Sequence, residues 1–249
     1  IYTSHNDEPF LPVKLLDCIF SKFVLKKPEK IISITRSVKN YLINKYKLNP
    51  QKINVIDYCF DPNIYKNKIV SKKEFRIYED NIIYIGVVAR LVQQKRIDLI
   101  LKAFKEINLK ESLIKLVILG RGKMKDDLVL QAKKLNIYKN IIWIDYSENV
   151  IAHMKKWSVF CLTSEYEGFG LVLLEAIYAN LPIVAMDVSS IKDIVGNSGK
   201  LVDFGDYKNF AKETINVLKN SNKYVKKSRI SHFSPEQNFK KHLKIYNSF

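Results

Sequence analysis

Short apolar runs alternate with helix-like segments along residues 82–219, and this alternation constrains the fold more than any other feature of the sequence. The runs predict strands at 82–88, 114–119, 141–145, 159–163, 183–186 and 200–202. Each is almost continuously apolar, as parallel strands are when both faces of their sheet are covered. Residues with helical periodicity fill the gaps, at 96–107, 123–135, 150–156, 171–179 and 207–219. The alternation predicts an α/β, doubly wound, Rossmann-like domain.

The residues before about 70 repeat this alternation on a smaller scale, as roughly half of a Rossmann unit. Residues 1–5 are predicted to be the end of a strand that runs into a loop. Further strands are predicted at 31–34 and 53–56, and helices at 11–25 and 38–46. Residues 66–80 are charged without a clear period and predict a linker, and Ser234-Pro235 begins a last helix over 236–246. We divide the chain into a partial first lobe (1–70), a complete second lobe (71–230) and a C-terminal helix (231–249) that returns toward the first lobe.

The formal charge of +17 bears on the partners of the chain. A basic surface suits nucleic acid, an anionic membrane or an anionic substrate. However, only six of the 42 basic residues are arginine, and Ile, Asn and Tyr are abundant, which is the bias of an AT-rich coding sequence. No RRM, KH, zinc-finger or helix-turn-helix pattern is visible. We expect no nucleic-acid partner, and peripheral contact with the anionic inner face of a membrane stays open.

Cysteine and acid spacing argue against a metal site. The three cysteines are scattered without a CxxC pair, and no Asp-x-Asp pair or His/Cys/acid cluster has ligand spacing. We therefore expect no metal and no cofactor, and a reducing compartment. No apolar run has transmembrane length and no signal-peptide pattern is present, so we expect a cytoplasmic location.

The segment 164–176 carries the clearest chemical signal. Glu167 and Glu175 lie eight positions apart, and the Gly-Phe-Gly turn at 168–170 between them follows a predicted strand and opens an apolar helix. This order of strand, glycine turn and helix cradles phosphate in α/β proteins. Carboxylates accept paired hydrogen bonds from vicinal hydroxyls. A lone Glu here would be a helix-terminus acid favoured by the dipole, whereas the pair favours a nucleotide-sugar site.

A second group of candidates follows the strand at 82–88. Arg90 and Lys95 lie in the loop where an open α/β sheet binds its ligand, and two cations there neutralise a diphosphate. The alternative is a solvated basic loop. Gly120-Arg121-Gly122 fits a turn as well as a ligand contact, and the missing GxGxxG fingerprint argues against a nicotinamide enzyme. His5, at the end of the first strand, is a further candidate.

Together these motifs resemble those of the retaining, GT-B glycosyltransferases of family four, also called glycosyl transferases group 1. The E-x7-E motif is Glu167–Glu175, and the Gly-Arg-Leu-x-x-x-Lys motif lies at 89–95 with Ala89 in place of its glycine. The likeness also covers Leu-Pro-Ile-Val-Ala at 181–185 and the segments 199–206, 32–39 and 55–62, and so nearly the whole chain. Asn180 replaces the usual glycine before Leu-Pro, and Asp193 replaces a usual glutamate.

The resemblance implies a GT-B fold and a role for each matching residue. Arg90 and Lys95 would hold the donor diphosphate and stabilise the leaving group, and Glu175 would bind the ribose. Glu167 would contact the donor sugar, which His5 would border. The implied catalytic residues are Glu167, His5, Arg90 and Lys95, and the implied donor-binding residues are Arg90, Lys95, Phe169, Gly170, Leu171 and Glu175.

The expected activity is transfer of a sugar, with retention, from a nucleotide-diphosphate sugar to a glycan or lipid-linked acceptor, in lipopolysaccharide or surface polysaccharide biosynthesis. Family members carry roughly another hundred residues at the front of the first lobe, so we expect a fragment of a longer protein or a truncated gene. Two alternatives stay open: a non-catalytic donor-binding remnant of such an enzyme, and a basic α/β protein that binds membrane or nucleic acid.

Overall fold

Two parallel sheets organise the molecule in the computed structural model, which describes residues 2–4, 25–66, 68, 74–111, 113–225 and 227–248. The smaller sheet has three strands in the order β1-β2-β3. The larger has six strands in the order β6-β5-β4-β7-β8-β9. Every strand pair is parallel, so each connection between neighbouring strands crosses over through other structure.

The first lobe contains the smaller sheet and one described helix. Its elements are β1 (Tyr2–Ser4), β2 (Ile31–Ser33), α1 (Arg36–Tyr46) and β3 (Ile53–Val55). Helix α1 begins after Thr35, whose hydroxyl accepts a hydrogen bond from the Val38 amide at 3.1 Å. The helix predicted at 11–25 lies outside the described residues except for its last position, and His5 also lies outside them.

The second lobe contains the larger sheet. Its elements are β4 (Ile83–Val88), α2 (Ile97–Asn108), β5 (Ile114–Leu119), α3 (Lys125–Lys134), β6 (Ile141–Ile144), α4 (Val150–Met154), β7 (Val159–Leu162), α5 (Leu171–Tyr178), β8 (Ile183–Met186), α6 (Ile191–Val195), β9 (Gly199–Val202) and α7 (Tyr207–Lys219). Each element predicted in this lobe is present, with ends within two residues of the predicted ones. The short helix α6 was not predicted, although its buried residues Ile191, Ile194 and Val195 follow helical spacing.

The strands of the larger sheet are apolar because both faces are covered. Along β5, Leu116 and Ile118 belong to one buried cluster, whereas Val117 and Leu119 belong to another. Side chains alternate between the two faces of a strand, so each face packs against its own layer of helices. In β4, a Cβ atom at Gly86 would lie 1.7 Å from the Trp157 ring, and the glycine is what lets this indole cover the strand.

Two segments connect the lobes. The predicted linker at 66–80 contains a 3-10 turn, Glu74–Ile77, whose single turn leaves no period in the sequence. At the other end, α8 (Pro235–Tyr246) begins one residue before its predicted start. It lies against the first lobe, where Asn238 donates to the Asp57 carbonyl at 2.6 Å and Ile245 is buried with Ile32 and Ile56.

Candidate functional site

Six of the predicted site residues line one cleft of about 330 Å³ between the lobes. They are Arg90, Lys95, Glu167, Phe169, Gly170 and Leu171. The first lobe contributes Ile34 and Tyr58 to the same cleft. The cationic loop after β4 and the Gly-Phe-Gly turn after β7 meet here because β4 and β7 are neighbours, with their carboxyl ends at the same edge of the sheet.

Lys95 and Glu167 form an ion pair at the base of this cleft. The ammonium lies 2.5 Å from Oε1 of Glu167, and the two side chains are only 15% and 8% exposed. The Ser164 hydroxyl donates to the same oxygen at 2.6 Å. Both contacts within the described residues fall on Oε1, which leaves Oε2 to accept from a ligand. The pair is largely withdrawn from water, so each group depends on the other for charge compensation.

Hydrogen bonds between the two loops fix the position of the pair. The Gln94 amide donates to the Tyr166 carbonyl at 3.0 Å, and the Glu165 N–H donates to the Gln94 carbonyl at 2.8 Å. The Thr163 hydroxyl donates to the Arg96 carbonyl at 2.9 Å. These bonds hold the catalytic candidates in place before any ligand arrives.

Glycines in the next loop support the turn that carries Arg90, whose own side chain is exposed. The Leu91 N–H donates to the Arg121 carbonyl at 3.0 Å, which brings the two loops into contact. A Cβ atom at Gly120 would lie 1.9 Å from the Ala89 carbonyl oxygen, and one at Gly122 would lie 2.4 Å from that of Leu91. The Gly-Arg-Gly segment is therefore a backbone support for the Arg90 turn.

The Gly-Phe-Gly turn is built around a buried aromatic ring. Phe169 is 3% exposed and packs edge-on against Tyr58 and Phe233, with ring centroids 5.3 and 6.0 Å apart. Gly170 then adopts a φ of 80°, which favours glycine, and α5 begins at Leu171. The first amides of a helix have no partner within it, so this helix end presents donors to an anion in the cleft.

Glu175 does not line this cleft. Its carboxylate accepts a hydrogen bond from the Tyr65 hydroxyl, which the turn after β3 brings to it from 110 positions away. Burial raises the pKa of Glu175, while the Tyr65 hydrogen bond and the charge of Lys68 lower it. The structure thus separates Glu175 from Arg90 and Lys95, and it adds a partner, Tyr65, that the sequence analysis missed because no local pattern marks it.

Neither a metal centre nor a membrane-spanning helix is found in the described part of the chain. Among those residues, no group of three His, Cys, Asp or Glu side chains is placed to hold an ion. None of the helices there is both long enough and apolar enough to cross a bilayer.

The comparisons with known sequences identify the family. The family model for glycosyl transferases group 1 matches residues 67–231, well over half of the chain. The capsular polysaccharide biosynthesis glycosyltransferase CapM of Staphylococcus aureus is 28% identical over 211 residues, which cover 78% of this chain and 55% of CapM. The O-antigen biosynthesis glycosyltransferase WclY of Escherichia coli is 28% identical over 162 residues, which cover 64% of this chain and 44% of WclY. The chain spans about half the length of these curated relatives.

Solved structures agree with the fold. Anabaena Alr3699/HepE in complex with UDP superposes with a TM-score of 0.87 at 16% identity, over all of this chain and 72% of that one. S. aureus TarM, in a complex that includes UDP, gives 0.81 at 22% identity, over 99% of this chain and 50% of TarM. These likenesses confirm the predicted GT-B, α/β architecture and speak to the fold alone. With the match of the family model, they lead to one identification: the chain belongs to the glycosyl transferases group 1 family.

Proposed function

We propose that this chain is the donor-binding part of a glycosyltransferase that moves a sugar from a nucleotide-diphosphate sugar to a glycan or lipid-linked acceptor. One observation carries the proposal: Arg90, Lys95, Glu167 and the first turn of α5 converge on a single cleft between the lobes. Two cations, a helix N-terminus and a carboxylate are the groups that a diphosphate joined to a polyol requires.

The diphosphate would lie between Arg90 and the start of α5. The Arg90 side chain is exposed at the cleft, so its guanidinium is accessible to two phosphate oxygens at once. The Lys95 ammonium is paired with the Glu167 carboxylate, which holds it in a fixed position as a second hydrogen-bond donor to the diphosphate. These groups stabilise negative charge as it develops on the leaving phosphate, which is the task a metal ion performs in other transferases.

The donor sugar would lie over Glu167, with Oε2 of the carboxylate accepting from a sugar hydroxyl. Ser164 and Lys95 hold Oε1, so the carboxylate meets the sugar in a fixed orientation. Glu175 would bind the ribose, which requires the Tyr65 hydroxyl to share or leave the carboxylate. His5, which lies outside the described residues, would border the reacting sugar.

Transfer would proceed with retention on the face of the leaving group. The bond between the anomeric carbon and the phosphate oxygen breaks, and the acceptor oxygen bonds to that carbon from the same side. The acceptor proton passes to the departing phosphate oxygen, so the step balances without a base on the opposite face. The role of Arg90 and Lys95 is then to stabilise the diphosphate as it accepts the electron pair.

The biological setting follows from the relatives. The names of CapM and WclY assign those proteins to capsular polysaccharide and O-antigen biosynthesis, and we propose a surface polysaccharide or lipopolysaccharide pathway for this chain. Because two structural neighbours were solved with UDP, UDP and UDP-sugars are the first probes to try.

A thermal-shift panel of nucleoside-diphosphate sugars tests the proposal. A ligand that binds only the folded state at 100 times its Kd adds about 2.7 kcal/mol of stability, which raises Tm by several degrees. Arg90→Ala should reduce the shift by about half or more, because a tenfold weaker Kd lowers the added stability to about 1.4 kcal/mol. If the chain is instead a basic polymer-binding protein, no nucleotide will shift Tm, and nucleic acid or anionic vesicles will bind in a salt-dependent manner.

Turnover separates an active transferase from a donor-binding remnant. Release of nucleoside diphosphate in the presence of acceptor, measured on the longest available form of the protein, is expected for the enzyme. A form whose Tm rises with donor but that releases no nucleoside diphosphate would support the donor-binding remnant.

A further inference from the structure

A second concavity lies away from the donor cleft, between α4, the end of α5 and the turn Pro62–Tyr65. Its volume is about 600 Å³, and it shares no lining residue with the cleft of Arg90 and Lys95. Of its lining side chains, the proposed transfer reaction involves Tyr65, through the Glu175 carboxylate, and gives no role to the lysines or to the other two rings. Its chemistry therefore calls for a separate explanation.

The floor of this concavity is apolar and fixed by ring contacts. Tyr65, Phe75 and Tyr178 contribute three aromatic rings to its lining. Phe75 stacks on the buried His153 with ring centroids 5.3 Å apart, and Tyr178 packs against Phe60 at the same centroid distance. Rings held from behind in this way offer a firm apolar surface to a ligand.

The rim of the concavity is cationic. Lys66, Lys68, Lys155 and Lys156 are all exposed and line it, and no acidic residue does so in the part of the chain that the structure describes. The nearby carboxylate of Glu175 is engaged by Tyr65, and that of Glu74 lies 3.5 Å from His153. Four exposed ammonium groups therefore surround the apolar floor, and the partly buried Glu175 carboxylate acts electrostatically on one of them, Lys68.

We propose that this concavity binds the phosphate headgroup of an anionic lipid, separately from the donor. The phosphate would lie among the four lysines, and the glycerol and first methylene groups would lie on the three rings. A soluble anion would use only the rim and an uncharged apolar ligand only the floor. An anionic amphiphile uses both, and each lysine near an anionic headgroup adds favourable binding free energy.

Titration with short-chain lipids, kept below their micelle concentrations, tests the site. The probes are dihexanoyl phosphatidylglycerol, dihexanoyl phosphatidylcholine and inorganic phosphate. The test variant is Lys155→Glu with Lys156→Glu. The control is Lys133→Glu with Lys134→Glu, an adjacent exposed pair at the end of α3. We expect phosphatidylglycerol to bind the wild type and the control alike, and to bind the test variant at least about tenfold more weakly.

Four outcomes would overturn the proposal. Equal weakening in both charge-reversed variants would indicate attraction to the overall positive charge. Phosphate that binds as tightly as phosphatidylglycerol would show that the aromatic floor takes no part. Absence of lipid binding, or equal binding of phosphatidylcholine, would also reject an anionic-lipid site. UDP titrated into the same samples keeps the two proposals distinct, because UDP affinity should be the same in all of them.

Discussion

The ammonium of Lys95 lies 2.5 Å from the carboxylate of Glu167, and both side chains are largely buried. Withdrawing either charge from water is costly, and the partner offsets that cost. At the scale of single residues, the cleft between the lobes therefore contains a coupled pair whose members cannot be replaced independently.

Replacing Lys95 with Met tests this coupling. The substitution keeps the length of the side chain and leaves the Glu167 carboxylate buried without its cation, so the free energy of unfolding should fall by about 3 kcal/mol. The double variant Lys95→Met, Glu167→Gln should lose clearly less than the sum of the single losses, measured by urea unfolding. Strictly additive losses would contradict the coupling.

His153 is a titratable group that the fold withdraws from water. It lies on α4 and is buried, with Nδ1 2.9 Å from the Tyr78 hydroxyl and Nε2 3.5 Å from Glu74. Burial lowers the pKa of His153 below its usual 6.5, although Glu74 acts in the opposite direction. At a pH between the lowered pKa of folded His153 and the usual value of the unfolded chain, the unfolded chain binds more protons than the folded one. Stability is therefore lost as pH falls below about 6.5.

The His153 effect is measurable as a pH slope. The free energy of unfolding should drop between pH 7 and pH 5, by at most about 1.4 kcal/mol per pH unit from this group. His153→Gln should flatten the slope, whereas His232→Gln, at an exposed position, should leave it unchanged. Urea unfolding at several pH values provides the measurement, and identical slopes in wild type and His153→Gln would disprove the assignment.

Local motifs in the sequence predicted which candidate residues lie together at the strand ends. Contacts between residues that only the tertiary fold brings together left no such motif. Arg90, Lys95 and Glu167 follow predicted strand ends, and neighbouring parallel strands bring such ends to one edge of the sheet. The contact of Tyr65 with Glu175 joins positions 110 residues apart, and no periodicity encodes it.

At the scale of elements, loop-to-loop backbone contacts decide where the site residues lie. The turn after β4 rests on the loop after β5, because Gly120 and Gly122 let the two backbones touch. At Asn180, by contrast, a side chain takes the place of the glycine that is usual in the motif before Leu-Pro. Asn180 adopts a left-handed φ of 60°, which Asn tolerates better than most residues.

Gly122→Ala tests the backbone support. The added Cβ atom would lie 2.4 Å from the Leu91 carbonyl oxygen, so the Arg90 turn must shift. Because a misplacement of about 1 Å can cost about a hundredfold in activity, we expect affinity for UDP to fall at least about tenfold. Gly205→Ala is the control for a strained glycine replacement away from the cleft, because its φ of 89° disfavours alanine while nothing lies within 4 Å of its Cβ position. Unchanged UDP affinity in Gly122→Ala, measured calorimetrically, would argue against this role.

Element type was predictable wherever burial imposed a period. The strands of the larger sheet are apolar on both faces, and the longer helices bury one stripe, so their patterns are clear. The turn Glu74–Ile77 is too short for a pattern. Helix α6 carries a single i, i+3, i+4 set of buried residues, which the sequence analysis overlooked.

At the scale of the whole molecule, the C-terminal segment and the turn after β3 join the lobes through aromatic contacts. Phe169 of the Gly-Phe-Gly turn touches Tyr58 of the first lobe and Phe233 of the C-terminal segment, and the Phe60 N–H donates to the Phe233 carbonyl at 2.8 Å. The Gly-Phe-Gly turn is thus part of the lobe interface, and both lobes line the cleft.

The central claim is that the cleft between the lobes binds a nucleoside diphosphate through Arg90. Calorimetric titration of UDP into wild type, Arg90→Ala and Arg76→Ala tests it directly, since both arginines are exposed and only Arg90 lines the cleft. We expect saturable binding to wild type and Arg76→Ala, and at least about tenfold weaker binding to Arg90→Ala, from the loss of charge-assisted hydrogen bonds. Equal affinity in all three proteins, or no binding of any nucleoside diphosphate to the wild type, would contradict the claim.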